Sequence, residues 1–410
     1  MAEAGPDLDP IDLPGVLGAD VYKCGELAAH LTRTEAGIEF RYTENWIRNA
    51  GRAVASTLPV TVAPVLTGGG ALPPYFAGLL PEGRRLTALR AAVKTSLDDE
   101  LSLVLAVGGD AVGDVQVVPT GHPLRVVAPL LEVDRFEDVR FADLLAELDI
   151  RVDRVGLAGV QAKASLLMLN LPVTKAGEQY LIKLDPPELP GLVEDEAFFL
   201  DAARRSGLEV VASELVRDRD GAAGLLVTRF DRAKNGDDLR RLAVEDGCQA
   251  LGLHPEAKYR VATEQVLRRL SSLCEAPIPA ARSFLAQAVF AYLTENGDAH
   301  AKNFSILQDL TGRWRPAPAY DLPSSQPYGD NTLALSVDGK RDGNITGSRY
   351  VALGEAIGLP GKAARGTVDA VAGAADAWID GLDDLPFDQG RITKLRKVVL
   401  RRQRLLLHDQ

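Results

Sequence analysis

Hydrophobic and polar positions change period several times along this chain. Between residues 20 and 120 the signals are mixed. "LAAHLTRTEAGIEFRYTENWI" predicts a short helix end, a Gly turn and an alternating strand, and "LPVTVAPVL" predicts a strand. "SLDDELSLVLAV" predicts a helix, with Ser96 as N-cap before acidic first-turn residues, and "GDVQVVP" a strand. "FADLLAEL" is a short amphipathic helix. From Arg154 the texture changes. "RVGLAGVQAKASLLMLN" is a Gly-containing turn leading into a strand, "LPVTKAGEQ" a turn and "YLIKL" a second strand. "VEDEAFFLDAARRSGL" is a helix closed by Gly207, and "GLLVTRFDR" another strand. Residues 262–296 follow a helical period, with Phe284, Leu285, Ala288, Val289, Tyr292 and Leu293 on one face. "FSIL", "QDLTG" and "RWRP" then spell a hairpin.

Composition narrows the classes. The chain has 410 residues, 46% hydrophobic and 25% charged, enough for two or three domains with real cores. The formal charge of −11 argues against a strongly nucleic-acid-binding surface of its own. No apolar stretch approaches the ~18 residues of a membrane span, and "MAEAGPDLDPIDLPG" lacks the basic and apolar regions of a secretory signal. Cys24, Cys248 and Cys274 form no CxxC and read as buried free thiols. A cytoplasmic location is the expectation. The expected division is a tail over 1–15, an N-terminal subdomain over 16–125, a second mixed unit over 126–260, and a helical unit over 261–410.

The candidate chemistry lies in "NGDAHAKNFSIL". Asp298 and Asn303 are five apart at the entrance of the predicted hairpin, and "AYDL" places Asp321 at its exit. Two carboxylates and an amide are hard donors suited to Mg²⁺ beside phosphates. Protein kinases use the same set: a base Asp, a metal-binding Asn five residues on, and a second metal-binding Asp further along. Upstream, Gly156 and Gly159 mark a turn, Lys183 sits on a strand, and Glu196 shares a helix face with Phe199, Leu200 and Ala203. A carboxylate among those apolar neighbours requires a cation, and Lys183 is the expected one. Glu194 and Asp195 fall on other faces. Thr228, Arg229 and Phe230 would lie near the hinge, where backbone groups can pair with adenine. Each piece alone is weak, since single glycines mark turns and Asp is a common turn former. Their order along the chain is what points to a kinase. The absence of G-x₄-G-K-[ST] disfavours a P-loop NTPase.

With these residues in view, the chain resembles the HipA family of bacterial serine/threonine kinases, the toxin halves of toxin–antitoxin pairs. The matching stretches are "GVQAKASLL", "YLIKLDPPELPGLVEDEAFFLDAARRSGLEV", "LLVTRFDR", "VEDGCQALGLHPEAKY", "NGDAHAKNFSIL", "APAYDLPSS" and, near the N-terminus, "YFAGLLPEG". The resemblance implies an α+β, two-lobed protein-kinase-like fold of HipA type, with an N-terminal α/β subdomain and a mostly helical C-lobe. It implies Asp298 as catalytic base, Asn303 and Asp321 as Mg²⁺ ligands, and Lys183 on the ATP phosphates with Glu196 behind it. Ala158, Gly159, Val160, Gln161, Ala162 and Lys163 would contact ATP. Thr228, Arg229 and Phe230 would meet the adenine, and His300, Lys302 and Tyr320 would lie beside the nucleotide. The family's substrates are aminoacyl-tRNA synthetases, whose phosphorylation slows growth. Its partner is a small helix-turn-helix antitoxin of HipB type, so DNA is reached only through that partner.

One departure stands out. The family's Gly-rich loop carries an autophosphorylated Ser three residues before the Gly that matches Gly159, and here that position is Gly156. Two other readings share the core: a kinase for a small molecule, and a catalytically silent binding module.

Overall fold

The computed structural model describes residues 10–124, 131–148, 169–175, 178–235 and 238–408. The first unit is built on five antiparallel strands in the order β4-β3-β2-β1-β5: β1 (Gly18–Lys23), β2 (Glu26–Thr34), β3 (Gly37–Tyr42), β4 (Val65–Thr67) and β5 (Val115–Pro119). The predicted helix end "LAAHLTR" is therefore a strand. Leu31 stands opposite Phe40 and Ala29 opposite Tyr42, all four buried. These cross-strand apolar pairs outweigh a local pattern that fits either element. Of "LPVTVAPVL" only the part beyond Pro64 joins the sheet, because prolines cannot donate to a ladder. The predicted helix is present at Glu100–Val107, but Asp99, not Ser96, caps it, accepting the Ser102 N–H at 3.4 Å.

The second sheet has the order β6-β7-β8-β10-β9: β6 (Leu131–Glu132), β7 (Leu169–Lys175), β8 (Glu178–Leu184), β9 (Ser213–Arg217) and β10 (Ala223–Thr228). Leu171–Lys175, read as part of a turn, continues β7 opposite β8. Alternation along β8 sets the site. Ile182 and Leu184 join Phe136 and Phe141 in a small core on one side, the latter from the predicted helix Phe141–Leu148. Lys183 faces the other way, towards the helix Leu192–Arg205. That helix ends as expected, at Gly207 with φ +82°. Its Phe199, Leu200 and Ala203 merge with Leu225 and Val227 of β10 into the large core of the C-terminal half.

A short hairpin, β11 (Arg232–Asn235) with β12 (Asp238–Arg241), follows. The third sheet is β13-β14-β15: β13 (Val244–Asp246), β14 (Ser305–Gln308) and β15 (Trp314–Pro316). The expected hairpin is thus present, with an extra strand beside it. The helical run 262–296 is two helices, Thr263–Leu273 and Pro277–Leu293. Pro277 takes the first position of the second, where a missing N–H costs nothing. Helices Gly347–Ala356, Gly361–Gly373 and Gln389–Leu407 complete the core. Arg402 of the last helix is fully buried, 2.8 Å from Glu295 and over the Tyr292 ring. It braces Glu295, whose φ of +56° puts a non-glycine residue in the left-handed region just before the segment 296–303.

All three cysteines are free thiols. Cys248 and Cys274 are buried, but Cys24 is exposed in the β1–β2 turn, where its Sγ donates to Asp114 at 3.1 Å. No described helix is long and apolar enough to cross a membrane.

Candidate active site

The site is assembled from β8, the helix Leu192–Arg205, the turn after Leu293 and the exit of the β14–β15 hairpin. Lys183 and Glu196 are 6% and 1% exposed, and the Lys183 ammonium lies 2.6 Å from Glu196 Oε1. The same ammonium pairs with Asp321. Burial works to lower the Lys183 pKa, but Asp321 and Glu196 more than offset it and hold the group charged. Burial pushes Glu196 up, and Lys183 opposes the rise. The inward placement of Glu196 expected from helical spacing is therefore what the structure has. Asp195, assigned to another face, is buried too. It accepts the Ser324 N–H at 2.7 Å, tying this helix to the segment beyond Asp321. The helix is enclosed by the sheet on one side and by residues 321–325 on another, so neighbouring positions are both covered.

Asn303 and Asp321 meet across the hairpin: the Asn303 amide donates to Asp321 Oδ2 at 3.2 Å, while Asn303 Oδ1 accepts the His300 N–H at 3.2 Å. Asp321 has φ +54°. A non-glycine residue costs about 1–3 kcal/mol there, and it persists because the surroundings fix it. One such restraint is Asn296, whose Nδ2 donates to the Asp321 carbonyl at 3.0 Å. Asn296 Oδ1 also accepts the Asp298 N–H at 3.1 Å. One amide thus links the backbones of both aspartates. The Asp298 carboxylate is buried and accepts the Tyr259 hydroxyl at 2.6 Å. The Asn303 amide meets the Asp321 carboxylate through its nitrogen, with Oδ1 turned to the His300 N–H. Once the amide is rotated, its oxygen and the carboxylate are the hard donor pair that fits a magnesium ion beside phosphates. Among the described residues, no group of three or more His, Cys, Asp or Glu side chains could hold a metal by itself.

The remaining expected residues divide. Burial, reinforced by the nearby Lys258 ammonium, pushes His300 down to about 3, so its ring is neutral at pH 7, with Tyr259 edge-on at 5.2 Å. Tyr320 donates to the Lys302 carbonyl at 2.8 Å, and its ring stacks on Phe230 at 5.6 Å between centroids. Two side chains point elsewhere than expected. Lys302 reaches towards the N-terminal unit, 2.8 Å from Glu82 and 3.2 Å from the Gly78 carbonyl. Arg229 is buried between Asp231 at 3.1 Å and Asp110 at 2.7 Å. Both are drawn to carboxylates, the partly exposed Glu82 and Asp110 and the buried Asp231, that compensate their charge. The Thr228 and Arg229 N–H groups donate to the carbonyls of Ala212 (2.9 Å) and Gln179 (3.5 Å). Ala158–Lys163 and Gly156 lie outside the described residues.

The "EDGCQALG" stretch supports the loop from behind. Asp246 and Gln249 form a capping box on the helix Gly247–Leu251, and the Gln249 amide donates to the Tyr75 carbonyl at 2.9 Å. A Cβ on Gly247 would stand 2.5 Å from the Ala301 carbonyl oxygen and 2.6 Å from Val266. Gly247→Ala is therefore expected to cost about 1–3 kcal/mol of stability by overpacking. It should also lower turnover, since Ala301 lies between Asp298 and Asn303. Chemical denaturation and initial rates measured together check this.

Comparison with known proteins agrees with the geometry. Residues 19–118 match the HipA N-terminal domain, and residues 155–379, more than half the chain, match the HipA-like C-terminal domain. The chain belongs to the HipA family. The Sinorhizobium fredii protein named "Putative kinase Y4mE" is 31% identical over 94% of this chain and 98% of its own length. The serine/threonine-protein kinase toxin HipA of Shewanella oneidensis is 29% identical over 82% of this chain and 81% of its own. The solved HipA from the Shewanella oneidensis complex with HipB and operator DNA has the same fold. Its TM-score is 0.77 at 22% identity, covering 94% of this chain and 96% of that one. The α+β kinase-like architecture of the HipA family is thus present here.

Proposed function

We propose that this HipA-family chain is an ATP- and Mg²⁺-dependent serine/threonine protein kinase and the toxin of a toxin–antitoxin pair. In this reading it phosphorylates a translation component, such as an aminoacyl-tRNA synthetase, in the cytoplasm and so slows growth. Its restraint comes from a helix-turn-helix antitoxin of HipB type, which carries the contact with DNA. The observation that supports this best is the Lys183 ammonium held between Glu196 and Asp321, with the Asn303 amide on the same Asp321 carboxylate. The Lys183–Glu196 pair corresponds to the Lys–Glu ion pair on which kinase phosphoryl transfer depends. The division at 16–125, 126–260 and 261–410 goes with it as a proposal.

Each side chain then has a task. Lys183 neutralises phosphate charge and Glu196 keeps it aimed. Asn303 and Asp321 hold magnesium, which supplies charge neutralisation on the transferring phosphates. Asp298 accepts the proton of the substrate hydroxyl. Ala158–Lys163 covers the phosphates, and Thr228–Phe230 with Tyr320 and His300 borders the nucleotide. The partner reading is supported by the relative solved with HipB and its operator.

Magnesium-dependent nucleotide binding tests the assignment. Asp321→Ala should weaken Mg-ATP binding in calorimetry by at least tenfold, about 1.4 kcal/mol. It should also abolish the difference between affinities with and without Mg²⁺. Unchanged Mg-ATP affinity in this variant would place the nucleotide elsewhere.

A further inference from the structure

Glu82 stands at the start of the helix Gly83–Val93 in the N-terminal unit, far in sequence from the kinase core. Its carboxylate nevertheless enters the catalytic region. One oxygen lies 2.8 Å from the Lys302 ammonium and the other pairs with Lys258. Lys258 is buried and Lys302 largely so, with side chains 7% and 13% exposed. Burial works to raise the Glu82 pKa, but Lys302 and Lys258 more than reverse this and hold it at about 2. The two lysines lead to the two ends of the proposed chemistry. Lys302 immediately precedes Asn303. Lys258 accepts the Ala301 N–H on its carbonyl at 3.1 Å and is followed by Tyr259, whose hydroxyl donates to Asp298 at 2.6 Å.

We infer that Glu82 is a positioning residue by which the N-terminal unit holds the catalytic loop in its working shape. This deepens the kinase reading and rests on it for its catalytic consequence. Simple adhesion between the units is served by other contacts. Arg229 and Arg232 pair with Asp110, and the Ser56 N–H and hydroxyl donate to Glu245 at 2.7 and 2.6 Å. None of these touches the segment from Asp298 to Asn303. Glu82 does so through Lys302, and reaches the base through the Lys258–Tyr259 step. Without its charge, the Lys258 and Lys302 ammonium groups would face each other with Asp246, 4.0 Å from Lys302, left to offset the repulsion between the segments.

The test uses the full-length protein and three variants. Glu82→Gln keeps the shape and removes the charge. Glu82→Asp keeps the charge, and Ser56→Ala removes an interdomain contact away from the loop. In Glu82→Gln, hydrogen exchange across residues 296–304 should rise at least tenfold. Its kcat should fall 10- to 100-fold with the KM for ATP changed less than about threefold, since Lys183 and Asp321 are untouched. Glu82→Asp should recover part of kcat, and Ser56→Ala should lower the melting temperature without altering kcat or exchange in 296–304. Unchanged exchange in Glu82→Gln overturns the inference, as does a loss of kcat matched by an equal loss in Ser56→Ala. If the wild type transfers no phosphate while the exchange difference is found, the kinase reading fails and the brace stands.

Discussion

Asp298→Asn is expected to lower phosphoryl transfer by roughly 10²–10⁴-fold, the usual scale for removing a general base, while the protein stays folded and binds Mg-ATP nearly as before. The substitution is isosteric, and the new amide oxygen can still accept the Tyr259 hydroxyl that now donates to Asp298 at 2.6 Å. The restraint on its backbone is also retained, because the Asp298 N–H donates to Asn296 whatever the side chain. What disappears is the ability to take a proton from an acceptor hydroxyl. Lys183, Asn303 and Asp321, which meet the phosphates in this account, are left in place. Initial rates at saturating Mg-ATP, set beside calorimetric affinity, separate the two effects. Turnover within tenfold of wild type would remove Asp298 from the role of base.

Lys183→Ala should damage both stability and turnover. Lys183 is enclosed by Glu196 and Asp321, and removing one partner of a buried ionic cluster costs about 3–5 kcal/mol because the remaining charges are uncompensated. Here two carboxylates would face each other. Burial already raises Glu196 from the ordinary value of 4.5, and Lys183 is what opposes the rise. Without the lysine its folded pKa climbs further above its unfolded value. A carboxyl shifted that way favours folding fully only below the unfolded pKa and loses that contribution as pH rises through the folded pKa. The deficit of Lys183→Ala relative to wild type should therefore be smaller at pH 5 than at pH 8. Denaturant midpoints at the two values measure it, and an equal deficit at both would contradict the account of the cluster. Turnover should be lost at either pH, since the phosphate partner is gone.

The parts of this site legible in the sequence are those whose signals are local. Glu196 among Phe199, Leu200 and Ala203 on a 3.6-residue period leaves little choice but an inward carboxylate, and the strand Lys183 is the cation it meets. The hairpin that joins Asn303 to Asp321 is spelled by its own turn residues. The same local reasoning misplaced Asp195, because a single apolar stripe does not reveal a helix covered on two sides. It also took "LAAHLTR" for a helix end, because the partners that make it a strand, Phe40 and Tyr42, stand across a turn. Tyr259 and Glu82 act on the loop from 39 and 220 residues away, and no period connects such positions. The only trace of either was that "HPEAKY" and "YFAGLLPEG" belong to stretches resembling the family. Lys302 and Arg229 sit in the expected segments but point to carboxylates of other elements, which spacing along the chain does not encode. The Gly-rich segment falls outside the described residues, so its role rests on the resemblance.

The central claim is that Lys183, Glu196, Asp298, Asn303 and Asp321 form a site that moves phosphate from ATP to a protein hydroxyl. The most direct measurement is incubation of the purified protein with γ-labelled ATP, Mg²⁺ and a bacterial lysate, alongside Asp298→Asn and a reaction with the metal chelated. The account predicts label on one or a few lysate proteins, on serine or threonine, absent from both controls. Equal labelling by wild type and Asp298→Asn, or no labelled protein with the wild type, would contradict it.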